Sequence, residues 1–331
     1  MSDEWNKQRL LEVSSSFQEC RILLTAAQLD LFTKLEAKPG TVDDLCADEG
    51  WSPRGLAILM DALAAQGLLD RSSDGHYRVN SSITGLLVKG GRDSILPLVL
   101  HRGTMWDTWS HLTEIIRTGT NPSRRDILSR STEDMEAFIG AMHVIGLRKA
   151  EEIADSIDLK SFTRMLDIGG ASGTYIMAFL NRSPHMNATL FDLPEVVEMA
   201  RNRLTDSGFI DRVQLVPGDY NTDELPKGHD LVLLSAIIHS NDREANQRLF
   251  SKIHDALAPG GTILIRDYFL DSSRTIPREG AIFAVNMLAA TTGGTAYTFE
   301  EVREDLAIAG FKDVRMIREG DHMGQLVTAV K

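Results

Sequence analysis

The sequence predicts an α/β protein in which a parallel sheet follows a mainly helical N-terminal region. From residue 164 onward, short apolar runs alternate with segments of helical pattern, as in a parallel sheet covered by helices on both faces. In the first half, apolar residues recur at helical spacing instead. A chain of 331 residues is also longer than one hydrophobic core usually grows, so two domains are expected.

The alternation places strands and helices along the C-terminal half. Strands are predicted at Met165–Ile168, Thr189–Phe191, Val213–Val216, Leu231–Leu234, Thr262–Tyr268, Val314–Ile317 and Leu326–Val330. Helices are predicted at Thr174–Leu180, Glu195–Leu204, Arg243–Leu257 and Phe299–Ala309. Ligands of such sheets bind beyond the carboxyl ends of the strands, so we expect the functional site there.

The first hundred residues show the order helix, turn, helix and hairpin that is typical of a winged helix. Thr41 and Ser52 are suited to cap helices, and Ser73-Asp74-Gly75 is suited to a hairpin turn. DNA binding would be the plain function of this pattern. Between residues 41 and 70, however, acidic residues dominate and Arg54 is the single basic residue. A docking or dimerisation module is therefore favoured.

The composition argues against several classes of protein without excluding most of them. The net charge is −12, which disfavours nucleic-acid binding because a phosphate backbone requires basic patches. Cys20 and Cys46 suggest neither a disulfide framework nor a zinc site. The acidic N-terminus and the lack of a long apolar stretch predict a cytoplasmic protein without membrane segments.

A glycine-rich run, Asp167 to Gly173, follows the first predicted strand and opens a helix. Glycines there allow a sharp turn and close approach to a ligand. Asp192 ends the next strand, where a carboxylate can accept both hydroxyls of a ribose. Together these features predict a nucleoside-containing cofactor.

Two cofactors compete for this loop. A dinucleotide fingerprint requires G-x-G-x-x-G, but Ala171 and Thr174 occupy its second and third glycine positions. Asp167 would also repel a diphosphate, whereas it would attract an ammonium or sulfonium group. The loop therefore favours S-adenosylmethionine over NAD.

His239 follows the fourth predicted strand, near the expected cofactor. A lone histidine is more often structural, but a base of near-neutral pKa at this place suits methyl transfer to a hydroxyl group. Trp106 and Trp109 are interpreted as core residues, with pocket lining as the alternative.

These motifs resemble those of the class I, plant-type small-molecule O-methyltransferases and their bacterial relatives, over nearly the whole chain. Asp167–Gly173 resembles the family's D-x-G-G-G-x-G, with Ala171 in place of a glycine. Phe191-Asp192-Leu193-Pro194 matches F-D-L-P, and Pro259-Gly260-Gly261 matches the turn before the fifth strand. The resemblance implies a Rossmann-like methyltransferase sheet with an N-terminal winged-helix domain that dimerises.

The resemblance also implies roles for particular residues. Gly218-Asp219-Tyr220 is similar to the family motif that contacts adenine. The expected cofactor-binding residues are Asp167, Gly169, Gly170, Gly173, Asp192, Leu193, Gly218, Asp219, Tyr220 and Ser235.

His239 stands where the family has its catalytic base, although the motif H-D-W-S-D-E is otherwise kept only at Glu244. Asp267 matches the acid that orients this base, whereas Ala296 replaces a second acid. Phe283 and Met287 match substrate-lining positions, and Met142 and His143 are further pocket candidates; core packing is an equal alternative for these four residues. No metal site is expected, because Ser235 and Ala236 end the fourth strand where a metal-dependent route needs carboxylates or amides.

The resulting hypothesis is an enzyme that methylates a hydroxyl of a small aromatic acceptor, working as a homodimer through its N-terminal helices. Residues 1–100 would form the winged-helix dimerisation domain, 101–160 a helical connector to the substrate pocket, and 161–331 the catalytic domain. A carbon or nitrogen acceptor, a ligand-sensing regulator and an inactive cofactor-binding partner are the alternatives.

Overall fold

The computed structural model describes residues 4–91, 93–119, 121, 124 and 132–331. The chain divides into two compact units. One comprises residues up to Trp106 together with Thr132–Val144, and the other comprises Asp107–Ser131 with Ile145–Lys331.

The first unit is mainly helical. Its elements are α1 (Lys7–Ser15), α2 (Phe17–Gln28), α3 (Leu31–Ala37), α4 (Val42–Glu49), α5 (Pro53–Ala65), the hairpin strands β1 (Leu69–Arg71) and β2 (Tyr77–Val79), α6 (Thr84–Leu87) and most of α7 (Leu96–Ser110). Both predicted caps are confirmed, since Thr41 and Asp44 form a capping box and Ser52 accepts a hydrogen bond from Gly55 N–H. The predicted hairpin is also present.

The second unit contains the sheet. Its helices are α8 (Leu112–Thr118), the C-terminal part of α9 (Thr132–Ala154), α10 (Thr174–Arg182), α11 (Pro194–Asp206), α12 (Arg243–Ala256), α13 (Arg278–Ala290) and α14 (Phe299–Ile308). Its strands are β3 (Arg164–Ile168), β4 (Asn187–Asp192), β5 (Val213–Pro217), β6 (His229–Ser235), β7 (Leu257–Asp267), β8 (Phe269–Leu270), β9 (Tyr297–Thr298), β10 (Lys312–Arg318) and β11 (Gln325–Val330).

Among the described residues, seven strands form the main sheet in the order β10-β11-β7-β6-β3-β4-β5. The strands from β3 to β7 are parallel, and the predicted strands and helices are confirmed with small shifts at their ends. The expectation of a parallel sheet is wrong at one edge, because β11 runs antiparallel to both β10 and β7. The few residues between β10 and β11 can close a hairpin but not a crossover.

A second difference concerns Pro259-Gly260-Gly261, which the sequence places in a turn before the fifth strand. The structure includes these residues in β7, which begins at Leu257. The pairing with β6 shifts register between His229 and Leu231, and Gly260 has a φ of 73°. Leu257 pairs with His229 and Thr262 with Leu231, so residues 258–261 oppose a single residue of β6. A positive φ at Gly260 directly after Pro259 is typical of a type II turn, so the predicted turn is present but lies inside β7 rather than before it.

Helices bury both faces of the sheet. One apolar core joins the sheet to α12 and α14, and a second joins its other face to α9, α10 and α11. This explains why the central strands are continuous apolar runs. Within the described part of the chain, no helix has the length and apolarity needed to cross a membrane.

We predict that Phe250→Ala lowers the free energy of unfolding by about 3–5 kcal/mol, because it opens a cavity between α12 and the sheet. Phe250 is 1% exposed, whereas Ile308 on the neighbouring α14 is 70% exposed. Ile308→Ala is therefore the matched control and should change stability by about 0.5 kcal/mol or less. Denaturant titration measures both, and similar losses in the two variants would contradict this assignment of the core.

Candidate active site

The loop after β3 turns immediately at Gly169, whose φ is 68°. A Cβ atom at Gly169 would collide with Ile237 Cδ1, and one at Gly170 would lie 2.9 Å from Leu190 Cγ. The sharp turn predicted at these glycines is confirmed, and the backbone packs closely against Ile237 and Leu190; its close approach to a ligand stays a prediction. Ala171 adopts a φ of 46°, so the one departure from the glycine pattern still takes a left-handed conformation.

The carboxylate of Asp192 connects this loop to the end of β4. Its Oδ2 accepts a hydrogen bond from Ala171 N–H at 2.8 Å, and its Oδ1 accepts one from Leu193 N–H at 2.8 Å. Burial raises the pKa of Asp192 to about 6, against the effect of these two bonds. Each oxygen retains a further lone pair, so the carboxylate can also accept ribose hydroxyls.

Asp167 is the second buried acid of the loop, with 2% exposure. Burial and, secondarily, the charge of Asp192 raise the pKa of Asp167 to about 8. Among the described residues, Asp167 Oδ2 has no hydrogen-bond partner. A buried carboxylate oxygen of this kind fits an ammonium group, as the amino-acid portion of S-adenosylmethionine provides, and does not fit a diphosphate.

The segment after β5 brings three further predicted residues to the same edge of the sheet. Gly218 N–H donates to the Asp192 carbonyl at 2.9 Å, and a Cβ at Gly218 would lie 2.6 Å from the Phe191 ring. Asp219 accepts hydrogen bonds from Asn221. Burial, followed by the charge of Asp219, raises the pKa of Tyr220 to about 12. This segment thus places the partly buried ring of Tyr220 near Asp192.

His239 lies in a short 3₁₀ turn after β6 and is buried. Its Nδ1 lies 2.9 Å from both carboxylate oxygens of Asp267, the last residue of β7. Asp267 is 1% exposed and also accepts Tyr268 N–H at 2.8 Å. A carboxylate in this position fixes the proton on Nδ1 and leaves Nε2 as an acceptor. The two predicted catalytic residues are therefore in contact.

Several groups hold the turn that carries His239. Asn246 Nδ2 donates to the Ile238 carbonyl at 2.9 Å, and Tyr297 Oη donates to the Asn241 carbonyl at 2.6 Å. Gly294 packs so closely that a Cβ there would collide with the His239 carbonyl oxygen. Ala296, at the place of the family's second acid, is fully buried. Asp267 is thus the acid that contacts the imidazole.

An apolar wall adjoins the imidazole. The Phe283 ring meets the His239 ring edge-on at 4.8 Å, and the Tyr268 ring lies 5.2 Å from Phe283. Met287, one turn further along α13, is buried, and Trp109 Nε1 donates to Asn286 Oδ1 at 2.9 Å. These rings can line a site for a planar, apolar ligand.

Sequence reasoning missed Tyr268 and Asn286, although each is adjacent to a residue that it identified. Met142 and His143 lie on the part of α9 that belongs to the first unit, and their role in the pocket stays a prediction. Ser235 ends β6, where its hydroxyl accepts a hydrogen bond from Arg266 Nη1 at 3.2 Å. Within the described ranges, no group of three or more His, Cys, Asp and Glu side chains is placed to bind a metal.

Comparison with known proteins shows that the N-terminal and C-terminal parts of the chain both match domains of one protein family. The profile of the O-methyltransferase domain matches residues 109–312, and that of the O-methyltransferase dimerisation domain matches residues 11–87. The tetracenomycin polyketide synthesis 8-O-methyl transferase TcmO of Streptomyces glaucescens is 32% identical over 317 residues, covering 92% of this chain and 91% of that protein.

Two further relatives agree. The 3-hydroxy-5-methyl-1-naphthoate 3-O-methyltransferase of Streptomyces sahachiroi is 31% identical over 317 residues, covering 93% of this chain and 90% of that protein. The crystal structure of human N-acetylserotonin methyltransferase in complex with S-adenosylmethionine superposes with a TM-score of 0.81 at 25% identity, covering 100% of this chain and 99% of that one. The chain therefore belongs to the S-adenosylmethionine-dependent O-methyltransferases that carry an N-terminal dimerisation domain.

Proposed function

We propose that the protein transfers a methyl group to a hydroxyl of a small aromatic molecule, with His239 as the general base. The observation that carries this proposal is the buried contact between His239 and Asp267 beside the ring of Phe283. S-adenosylmethionine, when bound, supplies an electrophilic methyl group on a positively charged sulfur.

The residues around the glycine loop would hold this cofactor. Asp167 would bind the ammonium group, because its Oδ2 is buried without a partner among the described residues. Asp192 would bind the ribose hydroxyls, and Tyr220 would lie against the adenine. Ile237 supports the proposal that the base lies beside the cofactor. Its side chain touches Gly169 of the glycine loop, and Ile237 is two residues before His239 in the sequence.

The base acts on the proton of the acceptor. A phenol, with a pKa near 10 by analogy with tyrosine, is mostly protonated at pH 7, so removing its proton raises its nucleophilicity. In the proposed step the phenolic proton passes to His239 Nε2. The Asp267 carboxylate, in contact with Nδ1, stabilises the imidazolium that forms.

The acceptor is inferred to be aromatic from the walls of the site. Phe283, Tyr268 and Met287 offer rings and a thioether, which favour a flat apolar molecule. The names of the two Streptomyces relatives, which mention a polyketide and a naphthoate, support an aromatic hydroxyl. A carbon or nitrogen acceptor is the alternative. The buried Ala296 leaves the imidazole with less support than a second acid would give, and a neutral amine presents its lone pair without prior proton removal.

The first unit is proposed to pair two copies of the chain through its N-terminal helices. None of the residues of α1 is buried, and Leu10, Leu11 and Val13 are each more than half exposed. Phe17, at the start of α2, is 55% exposed. An apolar surface of this kind, within and beside the matched dimerisation domain, is expected to be covered by the same surface of a second copy.

We predict that His239→Ala lowers turnover of a phenolic acceptor by about 10²–10⁴-fold, the usual contribution of a positioned base. Cofactor affinity should stay nearly unchanged, because no cofactor contact is assigned to this side chain. Asp267→Asn should lose less, since the imidazole remains. The measurement is turnover at fixed pH across acceptors of graded pKa. The same modest deficit for neutral and ionised acceptors would mean that His239 only lines the pocket.

We predict that cofactor binding releases protons near neutral pH. The pKa of Asp167 is about 8 in the free protein, and a bound ammonium group favours the ionised carboxylate. Affinity for S-adenosylhomocysteine should therefore rise with pH between about 6 and 8. Calorimetry in buffers of different ionisation enthalpy measures the protons released, and Asp167→Asn should abolish most of them. Equal release by wild type and variant would assign the linkage to another group, such as Asp192.

We predict that light scattering gives the mass of two chains at micromolar concentration. Phe17→Asp should shift the protein toward a single chain, because each dimer would lose two apolar contacts worth about 1.5–3 kcal/mol each. Ile308→Asp is the control, since Ile308 is also an exposed apolar residue, at 70% against 55% for Phe17, but lies on α14 of the second unit. A wild-type protein of single-chain mass, or equal effects of both substitutions, would contradict the proposed interface.

A further inference from the structure

We infer that Arg266 binds the carboxylate of the methionine portion of the cofactor and so selects S-adenosylmethionine over analogues without that carboxylate. The inference rests on the cofactor class and is independent of the acceptor and of the role of His239. It concerns a side chain that the sequence motifs do not include.

The first observation is the burial of an uncompensated charge. Arg266 is 3% exposed, although arginine is almost never fully buried without a partner. Its Nη1 donates to Ser235 Oγ at 3.2 Å, but Nε and Nη2 are buried without a hydrogen-bond partner in the described part of the chain. No carboxylate of the described residues forms an ion pair with it. A buried guanidinium with unpaired donors is suited to bind an anion, which would compensate its charge.

The second observation is the position of this guanidinium. Arg266 precedes Asp267 at the end of β7, so the two side chains point to opposite faces of the sheet. Asp267 contacts His239, whereas the Arg266 guanidinium lies 5.4 Å from the ring centroid of Tyr175. Tyr175 is in the first turn of α10, directly after the glycine loop. The charge is therefore beside the cofactor loop.

The third observation joins Arg266 to Asp167. The Tyr175 hydroxyl is buried without a well-formed hydrogen bond, although Ser235 is near enough to influence its pKa. In the sheet, Asp167 pairs with Leu233 and Arg266 pairs with Ser235, two residues further along β6, so the side chains of Asp167 and Arg266 share one face of the sheet. Arg266 and Asp167 are thus both buried on one face of the sheet, near the ends of β7 and β3, and Tyr175 of α10 packs against Arg266 there.

The unsatisfied groups of these two residues are complementary to an amino acid. Asp167 Oδ2 is an acceptor suited to an ammonium group. Nε and Nη2 of Arg266 form one edge of the guanidinium, which can bind both oxygens of a carboxylate in parallel. The methionine portion of the cofactor carries these two groups on one carbon atom. A structural role for Arg266, through its stacking on Tyr175, is the competing explanation.

The affinities of two ligands distinguish carboxylate binding by Arg266 from a purely structural role. S-adenosylhomocysteine and S-adenosyl-3-thiopropylamine share the adenosine, the thioether and the ammonium, but the amine lacks the carboxylate. Calorimetry should show that the wild-type protein binds S-adenosylhomocysteine about 10–100-fold more tightly, the span expected for charge-assisted hydrogen bonds. Arg266→Met should remove most of this preference by weakening S-adenosylhomocysteine while changing the amine by about twofold or less.

Two further variants complete the design. Arg266→Lys keeps a cation without the two-donor edge, so an intermediate preference is expected. Arg315→Met removes an exposed arginine from β10 and should change neither affinity. Circular dichroism and thermal melting establish that each variant is folded.

Equal weakening of both ligands in Arg266→Met would assign a structural role and overturn the inference, as would an unchanged preference. A wild-type protein that binds both ligands equally would overturn it without any variant. Because no acceptor is present, failure of the proposed hydroxyl methylation would show in turnover assays and leave these affinities as they are.

Discussion

The active site depends on how carboxylates are held in the apolar ends of parallel strands. A carboxylate removed from water is stable only with hydrogen bonds or an opposite charge, and three of them lie at or next to the last residue of a strand here. Asp192 accepts hydrogen bonds from the backbone of the glycine loop, Asp267 contacts His239, and Asp167 has one buried oxygen without a hydrogen-bond partner among the described residues, which we propose binds a ligand. Satisfying these charges fixes the loop, the orientation of the imidazole and the polarity of the cofactor site.

The proposed cofactor site and the proposed acid–base pair share the same edge of the sheet but few residues. The residues proposed to hold the cofactor lie at the ends of β3, β4 and β5, with Arg266 on β7, whereas the proposed base His239 follows β6 and Asp267 ends β7. Ile237 bridges them, because it contacts Gly169 and lies in the segment that leads to His239. This segment is in turn held by Asn246 and Tyr297. Substitutions of Ile237, Asn246 or Tyr297 are therefore expected to alter catalysis, although none of these residues is proposed to contact the cofactor or the acceptor.

Much of this arrangement could be predicted from the sequence, because it follows from local patterns. Buried strands, helix caps and the glycine loop are encoded in short segments, and the positions of Asp167 and Asp192 follow from the topology of parallel sheets, whereas Asp267 was identified from its resemblance to the family motif. Arg266 was not predicted, since its burial depends on Tyr175 and Ser235 from distant elements. The antiparallel orientation of β11 was also not predicted, because an apolar run indicates where a strand lies in the sequence but not which way it runs in the sheet. At Ala171 the local pattern predicted the structure although the residue type differs from the family's. Its backbone adopts the left-handed conformation that is expected of a glycine.

The place of β11 in the sheet has a consequence for biosynthesis. Gln325–Val330 lies between β7 and β10, and Gln325 exchanges hydrogen bonds with the backbone of Phe269, two residues beyond Asp267. An interior strand of the catalytic unit is therefore translated after nearly all of its neighbours. A nascent chain on the ribosome keeps the edge of β7 open until residue 330 has left the exit tunnel. During that interval the unpaired edge is available to chaperones and to other nascent chains.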